Sequence, residues 1–235
     1  MWQRKFWTIC PISWGSDTVI FTKTYAEPPL CQREILRYAG CKEADGETLA
    51  LLHACLEEAR PRLSYKLCHC VLDLTIHGDT CDFGVFSLES QKLARNLESC
   101  RQVVLFAATL GVDMDRLIAR YSRLSPAKAL MFQAIGAERI EALCDAFCAD
   151  LAREYPQGLR PRFSPGYGDL PLESQKELFS LLDCQRNIGL TLCDSLIMSP
   201  SKSVTAFVGI GCGGKTVFSK CAACTLQDCA FRGAV

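Results

Sequence analysis

Apolar positions recur along this chain with two different periods, which predicts helices and strands mixed within one unit. Leu30, Ile35, Leu36 and Ala39 fall at near-helical spacing before Gly40 stops the run, and a second helix is expected over 47–60, closed by Pro61. Over 65–76, Leu67, His69 and Val71 alternate with Cys68, Cys70 and Leu72, the period of a strand. Residues 81–86 read as a short strand, Ser87 as the cap of a helix over 88–97, and 103–108 as a buried strand. Asp113 and Asp115 fall in the first turn of the next helix, where carboxylates complement the dipole. Ser125-Pro126 opens the longest helix, 127–154, with Leu130, Ala134, Ala137, Ile140, Leu143, Phe147 and Leu151 as its core stripe. A helix is expected to open at Leu172, and 188–210 reads as strand, turn, strand. The stretch ahead of Glu27-Pro28-Pro29 reads as irregular.

Composition narrows the picture. With 235 residues, 49% hydrophobic and 22% charged, the chain can bury a full core as one large domain, alone or with a small appendage. Its 26 basic and 26 acidic side chains cancel, so charge favours neither a nucleic acid nor an acidic membrane surface. The longest apolar stretch, 103–112, is too short to span a bilayer, and Pro11, Ser13 and Gly15 interrupt any signal-peptide core, so a cytoplasmic protein is expected. Sixteen cysteines would suggest a disulfide scaffold in a short secreted chain; at this length most are expected as buried thiols in a reducing cytosol. In an extended Cys68-His69-Cys70 the two cysteines share one face and the histidine points away, which argues against a metal site there. Cys144 and Cys148, one turn apart on the long helix, read as packing residues.

Candidate chemistry concentrates in Arg162-Phe163-Ser164-Pro165-Gly166-Tyr167-Gly168-Asp169-Leu170-Pro171, a turn holding an arginine, an aromatic ring, glycines and an acid. Its Pro-Gly marks a tight turn, and Gly168 is expected to let the main chain approach a ligand closely. Downstream come Ile188-Gly189-x-x-Leu192 and Met198-x-Pro200-x-x-Ser203-Val204. In that order, Arg-x-x-x-Gly-Tyr, a proline, a helix and these two motifs resemble the reactivation domain of cobalamin-dependent methionine synthase, most closely free-standing versions of it.

The resemblance implies an S-adenosylmethionine-binding protein that supports reductive remethylation of cobalamin. Arg162 matches the family arginine that holds the ligand carboxylate, and Gly166 and Tyr167 match its Gly-Tyr. Asp145, with Glu141 as the alternative, matches an acid on the preceding helix that contacts ligand; the family's late tyrosine has no clear counterpart. A guanidinium suits a carboxylate through its bidentate fork. His53, His69 and His77 lie in no Asp-x-His-x-x-Gly arrangement, so the corrinoid is expected on another polypeptide, a methionine synthase or other corrinoid protein, served by a low-potential electron donor. Such a protein would be a component of a methyltransferase, not a self-sufficient enzyme. A metal-bearing electron-transfer partner of a corrinoid protein and a non-catalytic module of the same fold remain as alternatives. The expected architecture is α+β, an antiparallel-rich twisted sheet packed by helices, over 1–210, with the motif match strongest over 87–210.

The remainder, 211–235, reads as a cysteine-rich appendage. Cys221, Cys224 and Cys229 give C-x2-C-x4-C, and Cys212 could add a fourth thiolate for zinc or an iron–sulfur cluster. Gly209 to Thr216 satisfies the phosphate-loop pattern, but the 19 residues after it carry no helical stripe to meet a phosphate, so a decoy is expected. Leu-Glu-Ser-Gln-Lys occurs at both 88–92 and 172–176, each read as a helix opening and not as a repeat.

Overall fold

The computed structural model describes residues 8–10, 18–41 and 43–211. In chain order the elements are β1 (Thr8–Cys10), β2 (Ile20–Tyr25), α1 (Gln32–Tyr38), α2 (Gly46–Ala59), β3 (Tyr65–Asp73), β4 (Thr75–His77), β5 (Thr80–Asp82), β6 (Ser87–Glu89), α3 (Gln91–Asn96), β7 (Gln102–Thr109), α4 (Asp113–Leu124), α5 (Pro126–Glu154), α6 (Gln175–Leu182), α7 (Cys184–Ile188), β8 (Thr191–Leu192), β9 (Met198–Ser199) and β10 (Ser203–Ile210). Among the described residues, five strands form one sheet in the order β1-β2-β3-β7-β10, every neighbouring pair antiparallel. The α+β expectation, with its antiparallel sheet packed by helices, is met.

Strand alternation divides the core. Cys68, Cys70, Val103, Leu105 and Phe207 turn to one face, against Leu93, Leu97, Leu178, Leu182 and Ile188 of α3, α6 and α7. Leu67, Val104, Phe106, Ala206 and Val208 turn to the other, against Ile140, Leu143, Phe147 and Leu151 of α5. The N-terminal half of α5 buries Met131, Phe132 and Ile135 against a second layer made by α1, α2 and α4. Because α5 is covered on two sides, its buried surface is wider than one stripe, and Leu130, expected in the core, is exposed.

Three further expectations change. Residues 20–25 are strand, not irregular chain: Ile20-Phe21-Thr22-Lys23-Thr24-Tyr25 pairs with β3. Ser87 does not cap a helix, because 87–89 pair with β5 as β6; Ser90 is the cap, its hydroxyl accepting from Leu93 N at 3.1 Å. The first strand expected within 188–210 is reduced to the two-residue β8, and Ile188 instead ends α7.

Arg139 is fully buried, donating to the Pro28 and Pro29 carbonyls at 2.7 and 2.8 Å and to Glu138, which accepts from Cys31 N at 2.9 Å. The two charges, bonded to each other and to the backbone, thus pin 28–31 to α5, the condition under which a buried pair is tolerated. Most described cysteines are buried free thiols, and burial pushes Cys70 up to about 12 and Cys55 and Cys81 up to about 11, which keeps them unreactive.

His69 faces away from Cys68 and Cys70, as its register demands, and packs between Phe21 and Phe147. Burial, reinforced by the nearby Lys23 charge, lowers its pKa to about 4. Between that value and the ordinary 6.5 of the unfolded chain, only the unfolded state takes up the proton. Stability should therefore fall as pH drops through this window, by up to roughly 3 kcal/mol. Urea unfolding of His69→Leu between pH 7 and pH 4.5 should show a shallower decline than wild type; equal slopes would show that His69 does not set it.

Candidate functional site

The outer edge of β10 is covered over only part of its length. Residues 158–163 run along it, with Gly211 N donating to Gly158 O at 3.1 Å, Arg160 N to Gly209 O at 2.9 Å, and Phe163 N to Phe207 O at 3.0 Å. Since the backbone groups of Phe207 and Gly209 point outward, alternation points those of Thr205 outward too, and no backbone partner meets Thr205 there among the described residues.

Phe163 packs on the α6 side of the sheet, so its neighbour Arg162 turns to the α5 side. There its Nη2 lies 2.8 Å from Glu141 Oε2 and 2.9 Å from Asp145 Oδ1. Glu141 and Asp145 are four residues apart, on one side of α5, so both sequence candidates reach the same guanidinium. The arginine side chain is 12% exposed against 41% and 68% for the acids. Burial works against its charge, but the facing Glu141 and Asp145 carboxylates help to hold its pKa raised. Its Nη1 is buried with no acceptor among the described residues, an arrangement that costs about 1–3 kcal/mol or more until a partner arrives.

The 164–170 turn closes through Tyr167 N to Ser164 O at 3.1 Å and Gly166 N to Leu170 O at 3.0 Å. Gly166 adopts φ +84°, which an L side chain rarely takes. Gly168, at φ +65°, does not open the backbone to a ligand: an added Cβ would lie 2.5 Å from Lys92 Cδ, so the glycine makes room for α3. Asp169 ties the turn to the same helix, accepting from Ser90 Oγ at 2.5 Å and from Gln91 N at 2.9 Å.

Between these parts opens a cleft of about 200 Å³, lined by Glu141, Arg162, Ser164, Pro165, Tyr167, Leu172, Gln175, Met198, Ser203, Val204 and Thr205. Of the predicted residues, Arg162 and Tyr167 line it; Glu141, held as the alternative acid, lines it as well, while Asp145 reaches Arg162 from beside it and Gly166 shapes the turn. Gln175 and Thr205 carried no signal by themselves, although Met198 and Ser203 lay inside a quoted motif. A larger groove of about 830 Å³ runs between β2 and α5, but there Asp150 already accepts from Lys23, Tyr25 and Arg153. The chemistry therefore points to the smaller cleft.

Cys212, Cys221, Cys224 and Cys229 lie outside the described residues, as does the phosphate-loop pattern beyond Gly211. Among the described residues, no group of three or more His, Cys, Asp or Glu gathers as a metal site, and no helix is long and apolar enough to cross a membrane.

The family described as vitamin B12 dependent methionine synthase, activation domain, matches residues 94–214, which span β7, α5, the Arg162 turn and β10. In fold the chain is similar to a crystal structure of the MetH reactivation domain bound to AdoHcy, with a TM-score of 0.60 at 14% identity over 85% of this chain and 80% of that one. No curated protein matches the chain in sequence.

Hydrogen bonds from Ser90 and then from the α3 backbone hold the Asp169 carboxyl below its usual value. Its contribution is present above the ordinary carboxylate range and is lost as pH falls through the lowered value. Asp169→Asn should reduce the melting temperature at pH 7, with the gap to wild type closing toward pH 3. A gap independent of pH would show that the charge is not what anchors the turn.

Proposed function

This chain belongs to the activation-domain family of vitamin B12-dependent methionine synthase, and from that premise we propose that it binds S-adenosylmethionine at Arg162 and presents the methyl group for reductive remethylation of cobalamin on another polypeptide. The observation that carries this reading is the Arg162 guanidinium: buried, charged, with Nη2 on two acids, Nη1 unmet among the described residues, and the residue itself lining a cleft. A ligand carboxylate would satisfy Nη1 with a charge-assisted hydrogen bond. The ligand ammonium would sit beside it on Glu141 or Asp145, giving the zwitterion complementary partners. Tyr167, half exposed at the rim, could lie against the sulfonium or the adenine for roughly 0.5–2 kcal/mol.

A cleft of about 200 Å³ is smaller than the roughly 300–1,000 Å³ of pockets that enclose a small ligand. That suits a donor whose methyl group must stay accessible to a second protein. The corrinoid of that partner supplies the nucleophile once a low-potential donor has reduced it. The residues here bind and orient, and none needs to act as nucleophile or general base. Buried free thiols fit a cytoplasmic setting.

Calorimetric titration should detect S-adenosylmethionine, and Arg162→Ala should weaken it about ten- to hundredfold, the equivalent of roughly 1.5–3 kcal/mol. Arg162→Lys should recover part of the loss. Wild-type affinity in a folded Arg162→Ala protein would sink the assignment. Adding the wild-type protein, S-adenosylmethionine and a low-potential reductant to an oxidised methionine synthase that lacks its own activation domain should restore methionine formation. No difference with and without it would reject reactivation of that partner.

On spacing alone, Cys212, Cys221, Cys224 and Cys229 form a candidate zinc or iron–sulfur site in a separate 211–235 appendage. Elemental analysis of anaerobically purified protein should find metal near one site's stoichiometry, depleted by serine at any of these cysteines; metal-free protein would leave a tail of free thiols.

A further inference from the structure

We propose that Gln175 reads the purine of the methyl donor, its side-chain carbonyl accepting a hydrogen bond from the adenine 6-amino group. This rests on the S-adenosylmethionine reading above and adds the residue that would make the site specific for adenine. Gln175 is 3% exposed, opens α6 and lines the same cleft as Arg162. Its Nε2 donates to Leu196 O at 3.4 Å, a weak bond that nevertheless fixes which end of the amide faces Leu196, since two carbonyl oxygens would repel. The Oε1 end is left buried with no donor among the described residues. Buried polar atoms are nearly always satisfied, so an orphan acceptor in a cleft wall is a place for a ligand donor.

S-adenosylmethionine carries three kinds of donor. The ammonium is drawn to Glu141 and Asp145 beside Arg162 by charge. Ribose hydroxyls both donate and accept, and gain nothing from apolar walls. The 6-amino group alone projects from a flat, largely apolar ring, and the cleft that Gln175 lines also has apolar members, Leu172, three residues before it, and Met198. Leu172 is held in place by contact with the turn, its Cδ1 approaching Gly166 so closely that a Cβ there would lie 3.2 Å away. An acceptor in a lining that also offers apolar side chains suits an aromatic amine.

The test compares S-adenosylmethionine with its 6-deamino analogue, in which hydrogen replaces the amino group, by calorimetric titration against the full chain. Wild type should prefer the amino ligand about ten- to hundredfold, because the analogue leaves Oε1 unpaired. Gln175→Met keeps the side chain's length without the acceptor and should bind both ligands with about the affinity of wild type for the analogue. Equal affinities in wild type, a comparison that needs no variant, would overturn the role of Gln175 while leaving S-adenosylmethionine binding intact. A preference that survives in Gln175→Met would overturn it too. Wild type that binds neither ligand would remove the functional reading together with this one.

Discussion

Burial of α5 on two sides is the constraint on which the other elements depend. Over its 29 residues the helix passes from the α1, α2 and α4 layer to the face of the sheet, with Phe132 and Ile135 serving the first and Phe147 and Leu151 the second. Glu138 and Arg139 sit near the changeover and are buried as well, because the carbonyls of Pro28 and Pro29 and the Cys31 N–H complete their hydrogen bonding. A helix fixed on two sides cannot rotate about its axis without exposing one set of apolar side chains. Glu141 and Asp145 therefore have their direction set by the core, toward the edge of β10 and Arg162.

That edge explains where the site lies. Residues 158–163 pair with β10 only as far as Phe207, leaving the stretch from Ser203 to Thr205 to wall a cleft. The alternation that sends Phe163 into the core sends Arg162 toward α5, so one geometric rule supplies both a core anchor and a guanidinium facing Glu141 and Asp145. Burying a guanidinium there is tolerated because two partly exposed carboxylates face it, and its unmet Nη1 is where an anionic ligand group would gain most.

The turn carrying Gly166 and Tyr167 is held from outside itself. Asp169 reaches across to the start of α3, and Gly168 yields its Cβ space to Lys92 of the same helix. The two Leu-Glu-Ser-Gln-Lys segments sharpen the point: each leads into a helix that begins at its glutamine, Gln91 in α3 and Gln175 in α6. Before the glutamine, Leu88 and Glu89 are strand and Ser90 is the helix cap in the first case, whereas Leu172 to Ser174 form a 3₁₀ turn in the second. Identical local chemistry meets different neighbours, and pairing with β5 decides for strand.

What the sequence determined by itself was periodic and local. Alternating residues marked β3, a short apolar run marked β7, the long apolar stripe marked α5, and Pro-Gly with the arginine ahead of it marked the turn, because these signals need only neighbours along the chain. The order of motifs singled out Arg162, Gly166, Tyr167 and Asp145, with Glu141 as the alternative, as candidates. What tertiary structure decided was everything that depends on a partner far away in the chain. β2 forms because β3 offers it an edge, Leu130 stays outside because α5 is covered on other sides, and Gly168 serves packing. Gln175, polar and placed at a helix start, gave no hint of burial; only folding against Leu196 and the cleft wall removes its carbonyl from water and leaves it without a donor among the described residues.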